Sequence, residues 1–175
     1  YGDMQLIAEA YFLLKTFVSN DPKQLHDIFA KWNLGYLNSF LIEITAKIFL
    51  QKEQNGTLLL DHILDVANQK GTGKWTGVSA LDLGVPVSLI TEAVYARCLS
   101  SLKEERLQAQ KSFPQVTNSY TGTKKQLILD IKQALYASKI ISYTQGFMLM
   151  RAAAKEMKWD LNYGSIALIW RAGCI

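Results

Sequence analysis

The stretch from Lys124 to Lys158 keeps a helical alternation of apolar and polar positions over thirty-five residues, and nothing else in the chain limits the possible folds as much. At a rise of 1.5 Å per residue such a helix reaches about 50 Å, more than a domain of this size can enclose. It is expected to lie along a partner subunit or a second helical layer, with Gly146 as the point of bending. The chain has 175 residues, 49% of them apolar, enough for one domain with a real core. The expected fold is therefore all-α, a single multi-helix domain over residues 1–175 with long central helices and no substantial sheet.

Shorter helices precede the long one. From Asp3 to Val18 only Gln5, Glu9 and Lys15 interrupt the apolar surface, which predicts a central, buried helix. Asn20-Asp21-Pro22 offers a cap acceptor and a proline for the first turn, and Leu25, Ile28, Phe29 and Trp32 follow as one apolar stripe that Gly35 ends. His26 falls off that stripe and is expected on the surface. Between Leu37 and Leu50 the polar residues Ser39, Glu43 and Lys47 recur every four positions, so one narrow stripe meets water and Glu43 pairs with Lys47. Lys52 to Thr57 is a turn around Asn55-Gly56. Leu58 to Ala67 tilts towards helix, Trp75 to Leu83 is a short helix stopped by Gly84 and Pro86, and one helix is expected from Val87 to about Phe113, with Lys103 to Arg106 and Lys111 solvated. Pro114 to Thr123 reads as a surface loop, and Tyr163 to Ala172 as a short final helix.

Charge and cysteines narrow the partners. The net charge is +4 and the pI about 9.0, but the basic residues are scattered among fifteen acids, so no nucleic-acid stripe forms. Charge-free runs fall short of the ~20 residues a membrane helix needs. Cys98 and Cys174 sit among apolar neighbours without metal-ligand spacing, which fits a reduced, cytoplasmic protein and no metal site. The chain opens on Tyr1-Gly2-Asp3 without a methionine and is expected to be an excised piece.

The chemistry concentrates in Asn68-Gln69-Lys70-Gly71-Thr72-Gly73-Lys74-Trp75-Thr76. Glycines allow a tight turn, an amphipathic segment follows with free amides at its start, and lysines add charge, so the stretch reads as an anion site. It could equally be a glycine-rich connector with solvated lysines. The phosphate-loop pattern fails, because Asn68 stands where its first glycine belongs and Trp75 where its hydroxyl belongs; the dinucleotide pattern fails at Thr76. Arg97 lies at the edge of the face made by Val87, Ile90, Val94, Cys98 and Ser101 and needs a partner, either a bidentate anion or an acid such as Glu92 or Asp82. Tyr136 and Lys139 are three positions apart, one short of the tyrosine and lysine spacing of short-chain reductases.

Taken together, the KGTGK stretch, ITEAVYARCLSSLKEER from Ile90 and QALYASKIISYTQGFML from Gln133 closely resemble the all-helical domain of the 6-phosphogluconate dehydrogenase family. The runs YGDMQLIAEAY, NSFLIEIT, LDVANQKGTGKWT, SALDLGVPV and LNYGSIALIWRAGCI extend the likeness over essentially the whole chain. Tyr36 departs from it, since the family more often carries an acidic residue there.

The resemblance implies an NADP-dependent, metal-free oxidative decarboxylase of the pentose phosphate pathway, converting 6-phosphogluconate to ribulose 5-phosphate, carbon dioxide and NADPH. It implies a cytoplasmic homodimer. The family's catalytic lysine and glutamate stand upstream of the YGDMQ run, its NADP-binding domain is N-terminal, and its C-terminal tail would begin beyond Ile175, so this chain alone is expected to be inactive. The substrate-binding residues implied within it are Tyr1, Lys70, Thr72 and Arg97. A non-catalytic helical dimerisation or interaction module is the alternative, and a relative acting on an unphosphorylated hydroxy acid is a weaker one because so many anion ligands would be idle.

Overall fold

The computed structural model describes residues 1–113 and 119–171. In chain order the helices are α1 (Gly2–Phe17), α2 (Pro22–Asn33), α3 (Phe40–Ile48), α4 (Thr72–Asp82), α5 (Ser88–Ser101), α6 (Lys103–Ser112), α7 (Lys124–Met157) and α8 (Tyr163–Ile169), with a 3-10 turn at Leu59–His62. Among the described residues there is no sheet, only an isolated antiparallel bridge between Lys52 and Leu58. The fold is all-α, as the periodicity predicts. No helix among them is long and apolar enough to cross a membrane.

Local chemistry sets the helix ends. The Asp21 carboxylate accepts from the Lys23 amide at 3.0 Å with Pro22 in the first turn, and Thr123 and Asn162 cap α7 and α8 in the same way. Helix α7 runs 34 residues without a break through Gly146, where a bend was expected, and stops at Lys158 in the left-handed conformation, φ 56°. Its first half packs on α1. Its second half reaches α5, where the Gln145 side-chain oxygen accepts from the Leu89 and Ile90 amides at 3.0 and 3.3 Å and so caps that helix from across the fold.

The core lies between α1, α2, α3 and the first half of α7, with Leu14, Phe29, Leu37 and Ile42 fully buried. The stripe of Leu25, Ile28, Phe29 and Trp32 faces it as predicted. Helix α1 does not bury its whole apolar surface: Ile7, Ala10 and Leu14 point inward, while Phe12 is 65% exposed because no described element covers that side. His26 is half-buried rather than on the surface, its Nδ1 lying 2.8 Å from the Ala46 carbonyl and joining α2 to α3. Glu43 and Lys47 pair as expected.

Several boundaries differ from the sequence reading for traceable reasons. Leu58 to Ala67 is not a helix beyond its 3-10 turn, because neighbours take the backbone groups a helix would use: Arg106 binds the Asp65 carbonyl and Ser100 binds both backbone groups of Ala67. The single helix expected from Val87 is two helices, broken at Leu102. There Arg106 Nη2 donates to the Ser100 carbonyl at 2.9 Å, which a continuous helix would offer to Glu104. Lys103 and Arg106 are accordingly not merely solvated but paired with Asp65. Cys98 is exposed, while Cys174, Ala172 and positions 114–118 of the expected loop lie outside the described residues.

Candidate functional site

Helix α4 starts three residues earlier than the pattern around Trp75 predicts. Gly71 is its N-cap with φ 106° and ψ −44°, a conformation that L side chains resist, and its carbonyl accepts from the Trp75 amide at 2.8 Å. The amides of Thr72, Gly73 and Lys74 therefore form the open first turn of an eleven-residue helix. The Gln69 side-chain oxygen holds the Gly71 amide at 2.7 Å and fixes the turn.

Tyr1 stands at the start of α1, beside this turn. Its hydroxyl accepts from the Lys70 amide at 3.3 Å, a contact between residues far apart in the chain. That bond lowers the phenol's pKa from its ordinary value, with the Thr72 hydroxyl as the second cause and the Arg97 and Lys70 charges adding to it against some desolvation. The ring edge packs on Gly73: a Cβ there would lie 3.3 Å from Tyr1 Cε2 and Cζ and 2.7 Å from Val94 Cγ2. Only glycine lets α4 come so close to both α1 and α5.

Arg97 enters from α5. Its Nε and Nη2 donate to the Asn68 carbonyl at 3.2 and 2.9 Å, and its guanidinium lies over the Tyr1 ring, 4.7 Å from the centroid. Neither Glu92 nor Asp82 pairs with it; a backbone carbonyl and a ring take the place of the acid. Two of the five guanidinium N–H donors are thereby engaged and three stay available.

The structure thus gathers Tyr1, Arg97, the Lys70 amide and Thr72 around the first turn of α4. Lys70 and Thr72 are exposed, and the ammonium groups of Lys70 and Lys74 have no acid partner among the described residues. The Asp65 carboxylate, on the same loop, is already held by Lys103 and Arg106. Free amides, a hydroxyl and cations without acid partners among the described residues are the kinds of group that bind a polyvalent oxyanion. Sequence reading placed Asn68 in the stretch but missed its carbonyl as the acceptor of Arg97, and missed Ser100 altogether, an ordinary helical hydroxyl. Tyr136 and Lys139 are separated in use: Tyr136 packs at a tilt against Tyr36 with centroids 4.5 Å apart, and Lys139 pairs with Asp3.

The strand, turn and helix unit of the dinucleotide-binding fold does not occur among the described residues. Nor do three or more His, Cys, Asp or Glu side chains gather among them as they would around a metal ion.

Comparison with known proteins matches residues 1–175 to the family described as 6-phosphogluconate dehydrogenase, C-terminal domain. Among curated relatives, the decarboxylating 6-phosphogluconate dehydrogenase of Schizosaccharomyces pombe is 59% identical over 175 residues, covering all of this chain and 36% of that protein. The human protein of the same description is 58% identical over 177 residues, again all of this chain and 36% of its own length. A Bacillus subtilis relative described as NADP(+)-dependent is 56% identical over 178 residues, and 38% of it is covered. Plasmodium falciparum 6-phosphogluconate dehydrogenase, solved in its apo form, with its cofactor NADP+ and with its substrate 6-phosphogluconate, superposes with a TM-score of 0.93 at 45% identity over all of this chain and 38% of that one. The chain spans little more than a third of the length of these relatives.

Proposed function

The chain belongs to the 6-phosphogluconate dehydrogenase family, matching its C-terminal domain, and on that premise we propose that the corner at Tyr1, Lys70, Thr72 and Arg97 receives the phosphate of 6-phosphogluconate. The parent activity is oxidative decarboxylation of that sugar acid to ribulose 5-phosphate, with NADP as the hydride acceptor. The observation that carries the reading is the convergence of Tyr1, Arg97 and the open first turn of α4 beside two ammonium groups without acid partners among the described residues. Each group has a distinct part. The Tyr1 hydroxyl accepts from the Lys70 amide and keeps its own proton to donate to a phosphate oxygen. Arg97 offers its remaining N–H groups from a position already fixed by Asn68. Thr72 adds a hydroxyl at the helix start, and Lys70 a mobile charge that reaches from the loop.

These residues hold and orient the substrate's far end; the hydride and proton transfers fall to groups outside this set, as does the seat of NADP. Binding a remote phosphate contributes to affinity more than to the chemical step. In the full-length enzyme Arg97→Ala is therefore expected to raise KM for 6-phosphogluconate about ten- to a hundredfold, the worth of a charge-assisted hydrogen bond, with kcat changed far less. An unchanged KM would remove Arg97 from the pocket. We extend the proposal to a cytoplasmic homodimer, supported by apolar side chains left open on α7 and α8, where Ile141 is 51% and Ile169 71% exposed.

A further inference from the structure

The pocket's wall from Asp65 to Lys70 has no helix or sheet of its own, yet its backbone is held at three successive points from α5 and α6. Arg106 Nη2 donates to the Asp65 carbonyl at 3.1 Å and to the Asp65 carboxylate at 3.2 Å. One residue pair further on, the Ala67 amide donates to Ser100 Oγ at 2.9 Å, and the same hydroxyl lies 3.1 Å from the Ala67 carbonyl and 2.7 Å from the Arg97 carbonyl, either of which can take its single proton. Next, the Asn68 carbonyl receives the Arg97 guanidinium. Ser100 and Arg97 are three positions apart and share one face of α5. The hydroxyl thus fixes the peptide immediately before the carbonyl that orients Arg97, and two residues further lies the Lys70 amide that holds Tyr1.

We propose that Ser100 is a positioning residue for the phosphate pocket: by gripping Ala67 it sets the Asn68 carbonyl in the fork of Arg97 and the Lys70 amide against the Tyr1 hydroxyl. Ser100 touches no substrate in this scheme and acts only through these neighbours. The inference rests on the assignment of the pocket to phosphate and adds the element that keeps its loop in register with α5. Without the hydroxyl, the Ala67 amide and carbonyl turn to water, the 65–70 segment gains freedom, and Arg97 loses the fixed acceptor that holds its plane.

Ser100 lines a cavity of about 300 Å³ together with Tyr1, Ala8, Ala67, Ala96 and Arg97 among others. Threonine at this position keeps the hydroxyl and is the conservative replacement. The experiment compares Ser100→Ala, Ser100→Thr and Arg97→Ala in the full-length enzyme, measuring KM for 6-phosphogluconate, kcat and the thermal midpoint. Ser100→Ala is expected to raise KM about tenfold, the worth of one lost hydrogen bond, with kcat within about twofold, and Ser100→Thr to return KM to within about threefold of the parent. An unchanged KM in Ser100→Ala beside a raised KM in Arg97→Ala overturns the positioning role and leaves the pocket standing. A fall in thermal midpoint and kcat with KM unmoved likewise reduces Ser100 to a structural contact. An unchanged KM in both alanine variants overturns the phosphate pocket and this inference with it.

Discussion

Around α2 and the end of α3 the packing is done by large rings, Phe29 lying 5.0 Å from Trp32 on the same helix and 5.5 Å from Phe49 at the α3 C-cap between centroids. Between α4 and α5 it is done by Gly73, Ala80, Ala93 and Val94. Rings bury much apolar area and stabilise the domain. Small residues contribute little area and let two helices and the Tyr1 ring meet at one point. The first region supplies the stability, and the second spends some of it on placing a hydroxyl, an amide and a guanidinium accurately.

That division can be broken most forcefully at Phe29. Phe29→Ala empties a fully buried site and is expected to cost about 3–5 kcal/mol in denaturant unfolding, while KM for 6-phosphogluconate below the melting range stays at the parent value. A shifted KM would show that core and pocket are not separable. Gly73→Ala is the next test, because the added Cβ would meet Val94 at 2.7 Å. It is expected to cost about 1–3 kcal/mol and, unlike Phe29→Ala, to raise KM; combining it with Val94→Ala should recover part of the KM, since the space is returned.

The smallest effect concerns acid. Asp65 is exposed, and its pKa is lowered by Lys103 first and by Arg106, against some desolvation. Its tie is therefore fully present above the unfolded aspartate value of about 3.9 and is lost as pH falls through the lower folded value. Backbone amide signals of residues 65–68 should shift in that window before those of α2 and α3 do. If both regions move together, the loop is not an independently tethered element.

Much of the first region was legible because its causes are local. Asp21-Pro22 and the stripe of Leu25, Ile28, Phe29 and Trp32 specify α2, and the long period specifies α7. The break at Leu102 and the unwound stretch after His62 were not legible, since each depends on side chains reaching backbone groups across the fold: Arg106 on the carbonyls of Ser100 and Asp65, and Ser100 on Ala67. The site shows the same contrast. Glycines and lysines betrayed the loop by composition, and Arg97 by its place at the edge of a face. Its actual acceptor, the Asn68 carbonyl, could not be read, because a backbone oxygen has no signature in a sequence.

The half-buried pair of Asp3 and Lys139 carries a consequence for the order of assembly. The Lys139 ammonium lies 2.7 Å from one Asp3 oxygen and 2.9 Å from the other, joining residues 136 positions apart. Beside it Gly2 presses so closely on Ser142 that a Cβ would fall 2.3 Å from its hydroxyl oxygen. In synthesis Tyr1 precedes α7, so the anchor that sets Tyr1 in place arrives only after α1 to α6 have been made. Closing so long a loop is the slow, entropically unfavourable kind of contact, so Tyr1 is among the last of the pocket residues to find its position.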